Sequence, residues 1–466
     1  MITRLKIIGF KSFNDFDIEF SPFTVVAGTN ASGKSNLFDA LQLLSRLAET
    51  DLKTAFGEQR GDASELFTQF SSDCIADEMR FETELLVNSS VIDNWGGEAK
   101  LKYTRLRYLL VIKRHKNDLG FETLTVEDEK LEKIKQDEDT WMRTYILKEF
   151  WGRWRPKVTV GKRGKPYIYL ETVAGKTSFK IPQDGKSGGK ERPGNAVGQT
   201  VLSSINSVDF PHAFAAREEM RRWKFLQLNP EDLRKPSRQG PNMDDQITQT
   251  GQNMAAALYR ISRSDPYALT EISRDLNEFL PNFTGVEAVD DKENRQFIIK
   301  VKNEDGREFT SRTLSEGTLR LLALCILLAD ERHQGLLCFE EPENGIHPGR
   351  IAAALKLLIS LSVDFRQNDQ ALRQVIVNTH SPVLVGETLK WKDDKRVRVW
   401  FSQLASVIKD FQGKRMKTSI TAMIPVVKTA QFILPLSETE RIFTLAKVQE
   451  YLATVSSEGI ESETAL

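Results

Sequence analysis

The sequence is poor in the residues that build covalent frameworks and metal centres. Its 466 residues include three cysteines, Cys74, Cys325 and Cys338, and five histidines. The thiols are scattered and two sit inside apolar runs, a pattern that fits reduced core positions in a cytosolic protein and excludes a disulfide scaffold or a cysteine-rich zinc site. Net charge is also lacking: 65 Lys and Arg stand against 65 Asp and Glu. Any attraction to nucleic acid or membrane must therefore be local. No apolar stretch approaches the ~18 residues of a membrane span, and the opening MITRLKIIGFKSF has no apolar core behind its charges. The expectation is a soluble, unexported, cytoplasmic protein without membrane contact. Internal repeats and sustained heptads are missing as well, which excludes long coiled-coil arms.

What is present is an alternation of structure classes along the chain. Residues 2–27 read as strands broken by glycine, asparagine and proline, and 79–115 read as strands again. From 127 to 150 a charged stretch, EDEKLEKIKQDEDTWMRTYILKEF, reads as helical, followed by a basic aromatic segment and a loop at 183–199. Helices are expected at 212–226, 252–264 and 267–280. After residue 296 strands alternate with long helices, the pattern of a mostly parallel sheet. The length suggests several lobes. Four segments follow: 1–116, an N-terminal half with an antiparallel β subdomain; 117–285, an inserted α+β region; 286–400, the second half of the α/β core; and 401–466, a C-terminal extension.

The chemistry concentrates in four places. Gly28 to Ser35, GTNASGKS, fits a phosphate loop with a strand before it and a helix after it. Gly28 and Gly33 let backbone amides turn toward phosphate oxygens, Lys34 supplies positive charge, and Ser35 offers a hydroxyl to Mg²⁺. Asn30, Ser32 and Asn36 complete the candidate nucleotide-binding set. At 336–348, LLCFEEPENGIHP ends an apolar strand in Glu340, suited to the Mg²⁺ shell, and Glu341, suited to polarising the attacking water. VIVNTHSP at 375–382 places His380 at the end of another parallel strand, as a γ-phosphate contact. TLSEGTLRLLALCILLAD at 313–330 opens an apolar helix with Ser315, Glu316 and Gly317. Alone, that helix start would be an ordinary serine cap.

In this order the four elements, with the opening GFKSF, resemble the ABC-type ATPase heads of the SMC, RecF and OLD group. The likeness is close over residues 1–50 and about 290–385, and extends to SELF (64–67), FLQLNP (225–230) and GQNMAAAL (251–258). The resemblance implies a P-loop NTPase fold and an ATPase using ATP and Mg²⁺ that dimerises around two nucleotides. It implies that Ser315, Glu316 and Gly317 of one copy act in trans on the other's phosphate loop, while Asn344 to His347 line the crossing segment. It further implies that Glu341 is the catalytic base and Glu340 stands where the acidic motif commonly has aspartate. Two departures accompany it: Glu316 replaces the first glycine of the transporter-type signature, and Glu340 is one methylene longer than aspartate.

The resulting expectation is an ATP-driven switch in DNA repair or anti-phage defence, working with a separately encoded effector such as a nuclease. Segment 140–192 carries 13 Lys or Arg against 4 Asp or Glu, with Trp141, Trp151, Trp154, Tyr167 and Tyr169 between them, a candidate nucleic-acid surface. A low-turnover ATP-bound scaffold holding an effector uses the same pocket. A transporter subunit is disfavoured by the long gap between phosphate loop and signature. The stretch after His380 lacks the carboxylate cluster of a two-metal nuclease, so no intrinsic nuclease activity is expected.

Overall fold

The computed structural model describes residues 1–117, 119–155, 168–173, 178–182, 189–193, 198–367, 371–411, 414–426, 450–451 and 453. Its centre is a six-stranded sheet. Strand Phe23–Ala27 lies between Arg373–Thr379 and Val397–Phe411, and beyond Arg373–Thr379 come Gly335–Glu340 and, at the edge, Lys224–Leu226. All these neighbours run parallel; only the last strand, Lys414–Pro425, turns back antiparallel on Val397–Phe411. Every residue of Phe23–Ala27 is buried. Both faces of that strand are covered, which is why it reads as an unbroken apolar run rather than an alternation.

On one face lies the 14-residue helix Lys34–Leu47, which buries Leu37, Leu41 and Leu44. On the other lie Glu316–Ala329 and Ile351–Leu361, with Leu319, Leu322, Ile326, Leu355 and Leu358 in one cluster with Val25, Leu337 and Val377. Each such side chain taken out of water contributes about 1.5–3 kcal/mol. Cys325 and Cys338 belong to this interior, and burial pushes both thiols up. A small antiparallel sheet, with Phe283–Asp291 against Gln296–Asn303, packs beside helices Met254–Ser264 and Ala268–Phe279.

The second large layer is an eight-stranded antiparallel sheet. It contains Ile2–Ile8, Phe16–Glu19, Glu78–Leu86, Arg105–Lys116 and Glu122–Lys133, and continues to Ile168–Thr172, Ser178–Pro182 and Gly189–Pro193. The charged stretch expected to be helical thus begins as strand: Glu122–Lys133 pairs with Arg105–Lys116 before a short helix at Thr140–Tyr145. The division drawn at 116 falls inside this hairpin, and the N-terminal sheet continues across it. The helix expected at 212–226 stops at Arg221, and Lys224–Leu226 joins the parallel sheet.

Among the described residues, the aromatic side chains expected to face nucleic acid do not form a stacking surface. Trp141, Trp154 and Tyr169 are buried. Trp141 donates its indole N–H to Phe20 O at 2.6 Å and meets Phe365 edge-on, and Trp151 is half-buried against the same cluster. Tyr167 lies outside the described residues, as do 156–167, 174–177 and 183–188 of that segment. These indoles join the core because the segment fills the seam where Met1, Leu86 and Phe365 meet.

Candidate nucleotide site

Strand register assembles the site. Thr379 is paired with Ala27, and Asn378 with both Val26 and Glu340, so three neighbouring parallel strands end together. The residues that follow, Gly28, His380 and Glu341, therefore emerge at one sheet edge, about 4.8 Å from strand to strand. On the far side Phe401 is paired with Ala27, which places Ser402 beside Gly28.

The loop from Gly28 to Gly33 turns through conformations that side chains resist. Gly28 has φ 151°, Ala31 61° and Gly33 91°. A Cβ on Gly28 would sit 2.4 Å from Ser402 O, and one on Gly33 would sit 1.9 Å from Thr421 Oγ1. Both glycines are needed for close approach as well as for backbone freedom. Lys34 opens the following helix, and its ammonium donates to Gly28 O and Thr29 O, both at 2.8 Å. Burial lowers its pKa, while the charges of Glu341 and Glu343 oppose the shift. Thr29 and Asn30 are exposed, Ser32 is buried, and Ser35 and Asn36 are half-buried. The Asn36 amide is used internally, donating to Ser12 Oγ at 2.7 Å.

Glu341 leaves its strand through a left-handed backbone, φ 47°, with its N–H donating to Asn378 O at 2.8 Å. This turn aims the carboxylate sideways: Oε1 lies 2.6 Å from His380 Nδ1 and Oε2 accepts from Asn344 Nδ2 at 2.7 Å. The structure thereby brings together Glu341, His380 and Asn344. Glu340 points to a separate cluster, with Arg60 Nη2 at 3.6 Å from Oε1 and at 3.2 Å from Asp39 Oδ1. Lys11 Nζ pairs with the same Asp39 at 2.7 Å. Burial raises the Glu340 carboxyl, Arg60 opposes this, and Asp39 and Glu341 add to it.

Sequence reasoning missed four residues here. Arg60 and Asp39 carry no motif signal of their own. Glu343, two residues beyond the expected base, is buried, takes the Thr379 hydroxyl on Oε1 and leaves Oε2 without a protein partner among the described residues. Burial raises its carboxyl. Tyr451 stands edge-on to Phe401 with its hydroxyl pushed up by burial and by Glu343, so a C-terminal residue also reaches this floor.

The signature residues lie at a different corner. Ser315 caps its helix, accepting from Thr318 N at 3.3 Å, and Arg320 holds Glu316 Oε1 at 2.8 Å. A Cβ on Gly317 would meet Gly345 O at 2.7 Å, and one on Gly345, φ 70°, would meet Glu316 Cδ at 2.5 Å. The two glycines thus let the helix start nest on the turn after Glu341. Ser315, Asn344 and His347 are exposed there, and His347 Nδ1 accepts from Gly349 N at 3.1 Å.

A strained phosphate loop, a buried lysine beneath it and two strand-end carboxylates suit a nucleoside triphosphate. Residues 4–149 match a family described as "AAA domain", and residues 191–386 match one described as "AAA domain, putative AbiEii toxin, Type IV TA system". These two matches, over successive parts of the chain, support an ATPase of the AAA type. Among solved structures the chain is similar to the SMC head domain from Thermotoga maritima, with 14% identity, 92% of this chain and 99% of that one covered, and a TM-score of 0.37. An Smc head with an extended coiled coil bound to the C-terminal domain of ScpA, derived from Pyrococcus furiosus, aligns at 11% identity over 96% of this chain and 99% of that one, with a TM-score of 0.41. An SmcHead bound to the C-winged helix domain of ScpA aligns at 15% identity over 90% and 98%, with a TM-score of 0.46. No curated protein matches the sequence. Among the described residues no helix is long and apolar enough to cross a membrane.

Proposed function

We propose that this ATPase is a clamp in which two copies close around two nucleotides and reopen on hydrolysis, controlling a DNA-related process together with a separately encoded effector, such as a nuclease, in repair or anti-phage defence. The observation that carries the pairing is the exposed corner where the Ser315–Gly317 helix start nests on the Gly345 turn. Its hydroxyl and helix N-terminus suit a phosphate presented by another copy's loop. The DNA side of the reading rests on the family resemblance. With Trp141, Trp154 and Tyr169 buried, contact through 140–192 would rest chiefly on its lysines and arginines. The effector rests on the same resemblance, and the matched family's naming of a toxin and a TA system is in keeping with it.

Within each copy the Gly28–Ser35 backbone cradles the phosphates and Lys34 neutralises their charge. Mg²⁺ held by Ser35 and Glu340 would offset charge on the phosphate oxygens. Glu341, fixed by Asn344 and His380, takes the proton of the attacking water. The water oxygen bonds to the γ-phosphorus, the bond to the bridging oxygen breaks, and ADP leaves with that electron pair. Lys34→Ala is expected to abolish ATP binding, while Gly317→Leu spares binding in the monomer and prevents ATP-dependent pairing in sedimentation velocity. Equal loss of nucleotide affinity in both variants would refute the shared site.

A further inference from the structure

The C-terminal hairpin, Val397–Phe411 with Lys414–Pro425, is remote in sequence from the phosphate loop yet holds it by a closed chain of hydrogen bonds. Asn36 Nδ2 donates to Ser12 Oγ at 2.7 Å, and Ser12 Oγ lies 2.7 Å from Thr421 Oγ1. Thr421 Oγ1 donates to Ser32 O at 3.3 Å. Since the Thr421 proton goes to that carbonyl, Ser12 is the donor to Thr421. Ser402 Oγ donates to the same Ser32 carbonyl at 2.8 Å, so both lone pairs of this one loop oxygen are used. A backbone bond from Thr421 N to Ser12 O, 2.8 Å, ties the hairpin to the Phe10–Phe13 turn. The chain starts in the first turn of the loop's helix, passes through that turn and the hairpin, and returns to the loop one residue before Gly33. Bonds linked head to tail in this way polarise one another.

We propose that Ser402 and Thr421 are positioning residues for nucleotide binding: by fixing the Ser32 carbonyl outward they keep the amides of residues 29–35 turned toward the phosphates. The steric fit points the same way, because Ser402 O and Thr421 Oγ1 occupy the space that a Cβ on Gly28 or Gly33 would need. The hairpin is a mould against which the loop is cast. Loss of a hydroxyl leaves the carbonyl free to rotate, and the bound state then has to reorder the loop. The cost falls on affinity rather than on the chemical step, since neither hydroxyl reaches Glu341 or His380.

This inference rests on the nucleotide-binding reading, so the parent protein is titrated first. The probe is a fluorescent ATP analogue with Mg²⁺ on the full chain, with single-turnover phosphate release at saturating ATP and a thermal melt beside it. For Thr421→Val and Ser402→Ala the dissociation constant is expected to rise about three- to tenfold each, the range of one hydrogen bond. Saturated turnover stays within about twofold, and Thr421→Ser restores parental affinity. Ser406→Ala, exposed on the same hairpin, leaves all three readings unchanged. Parental affinity in the Ser402→Ala/Thr421→Val double variant would overturn the inference. So would a Thr421→Ser protein as weak as Thr421→Val, which would make the position a packing contact. Absence of binding in the parent would overturn the nucleotide reading itself.

Discussion

Replacing Glu341, the proposed base, by glutamine removes that proton acceptor while preserving the geometry around it. The amide oxygen can still accept from Asn344, and the amide N–H can face His380 Nδ1, the two contacts now held at 2.7 and 2.6 Å. The left-handed backbone at φ 47° costs on the order of 1–2 kcal/mol, and glutamine meets the same cost, so folding stability should not change. Removing a general base lowers a rate by roughly 10²- to 10⁴-fold, or about 3–5 kcal/mol of barrier. Affinity should move the other way. Glu341 is a negative charge close enough to Lys34 to oppose the lowering of its pKa, so it also faces the triphosphate, and neutralising it removes a repulsion. The expected variant binds ATP at least as tightly as the parent and accumulates ATP-bound pairs. Single-turnover phosphate release and nucleotide titration read the two effects separately. Unchanged phosphate release would remove Glu341 from the role of base.

Two further outcomes test the antiparallel lobe. Glu129 is fully buried, accepts from Val201 N, Leu202 N and Tyr108 OH, and burial raises its carboxyl to about 7 from 4.5. Between those values the folded state holds the proton more tightly than the unfolded chain, so stability falls as pH rises from about 4.5 to about 7 and then levels, by up to ~3 kcal/mol. Urea midpoints across this range should show that slope in the parent and lose it in Glu129→Gln; an equal slope in both would assign it elsewhere. Arg105, also buried, pairs with Asp139 at 3.1 Å and donates to Thr3 Oγ1 and Leu85 O. Arg105→Met takes the nearest cation from that buried carboxylate, leaving it Arg155 at 3.6 Å and the Met142 N–H at 3.2 Å, and should cost about 3–5 kcal/mol by denaturant unfolding, whereas a loss under ~1 kcal/mol would mean that these remaining partners suffice.

The parts of the site that could be read from the sequence are those whose physics is local. A phosphate loop needs a strand, two glycines, a lysine and a helix within a dozen residues, and an acidic or histidine motif needs only an apolar strand that ends in the right side chain. The parallel sheet then brings the ends together. Where the reading failed, a local signal was disguised. In Glu122–Lys133 the inward positions are Val126, Glu129 and Leu131, and a bulge between Val126 and Asp128 switches the face, so the two-residue alternation breaks and one core position holds a carboxylate. Such a strand looks like a charged helix to any periodicity argument. Lys224–Leu226 is too short to show a period at all. Ser402 and Thr421 show the deeper limit: each is a small polar residue on a strand, and each matters only because a partner some 370 to 390 positions away in sequence offers its carbonyl at the same sheet edge. What decides their role is register between the phosphate-loop strand and its neighbour, and register is a property of the assembled sheet.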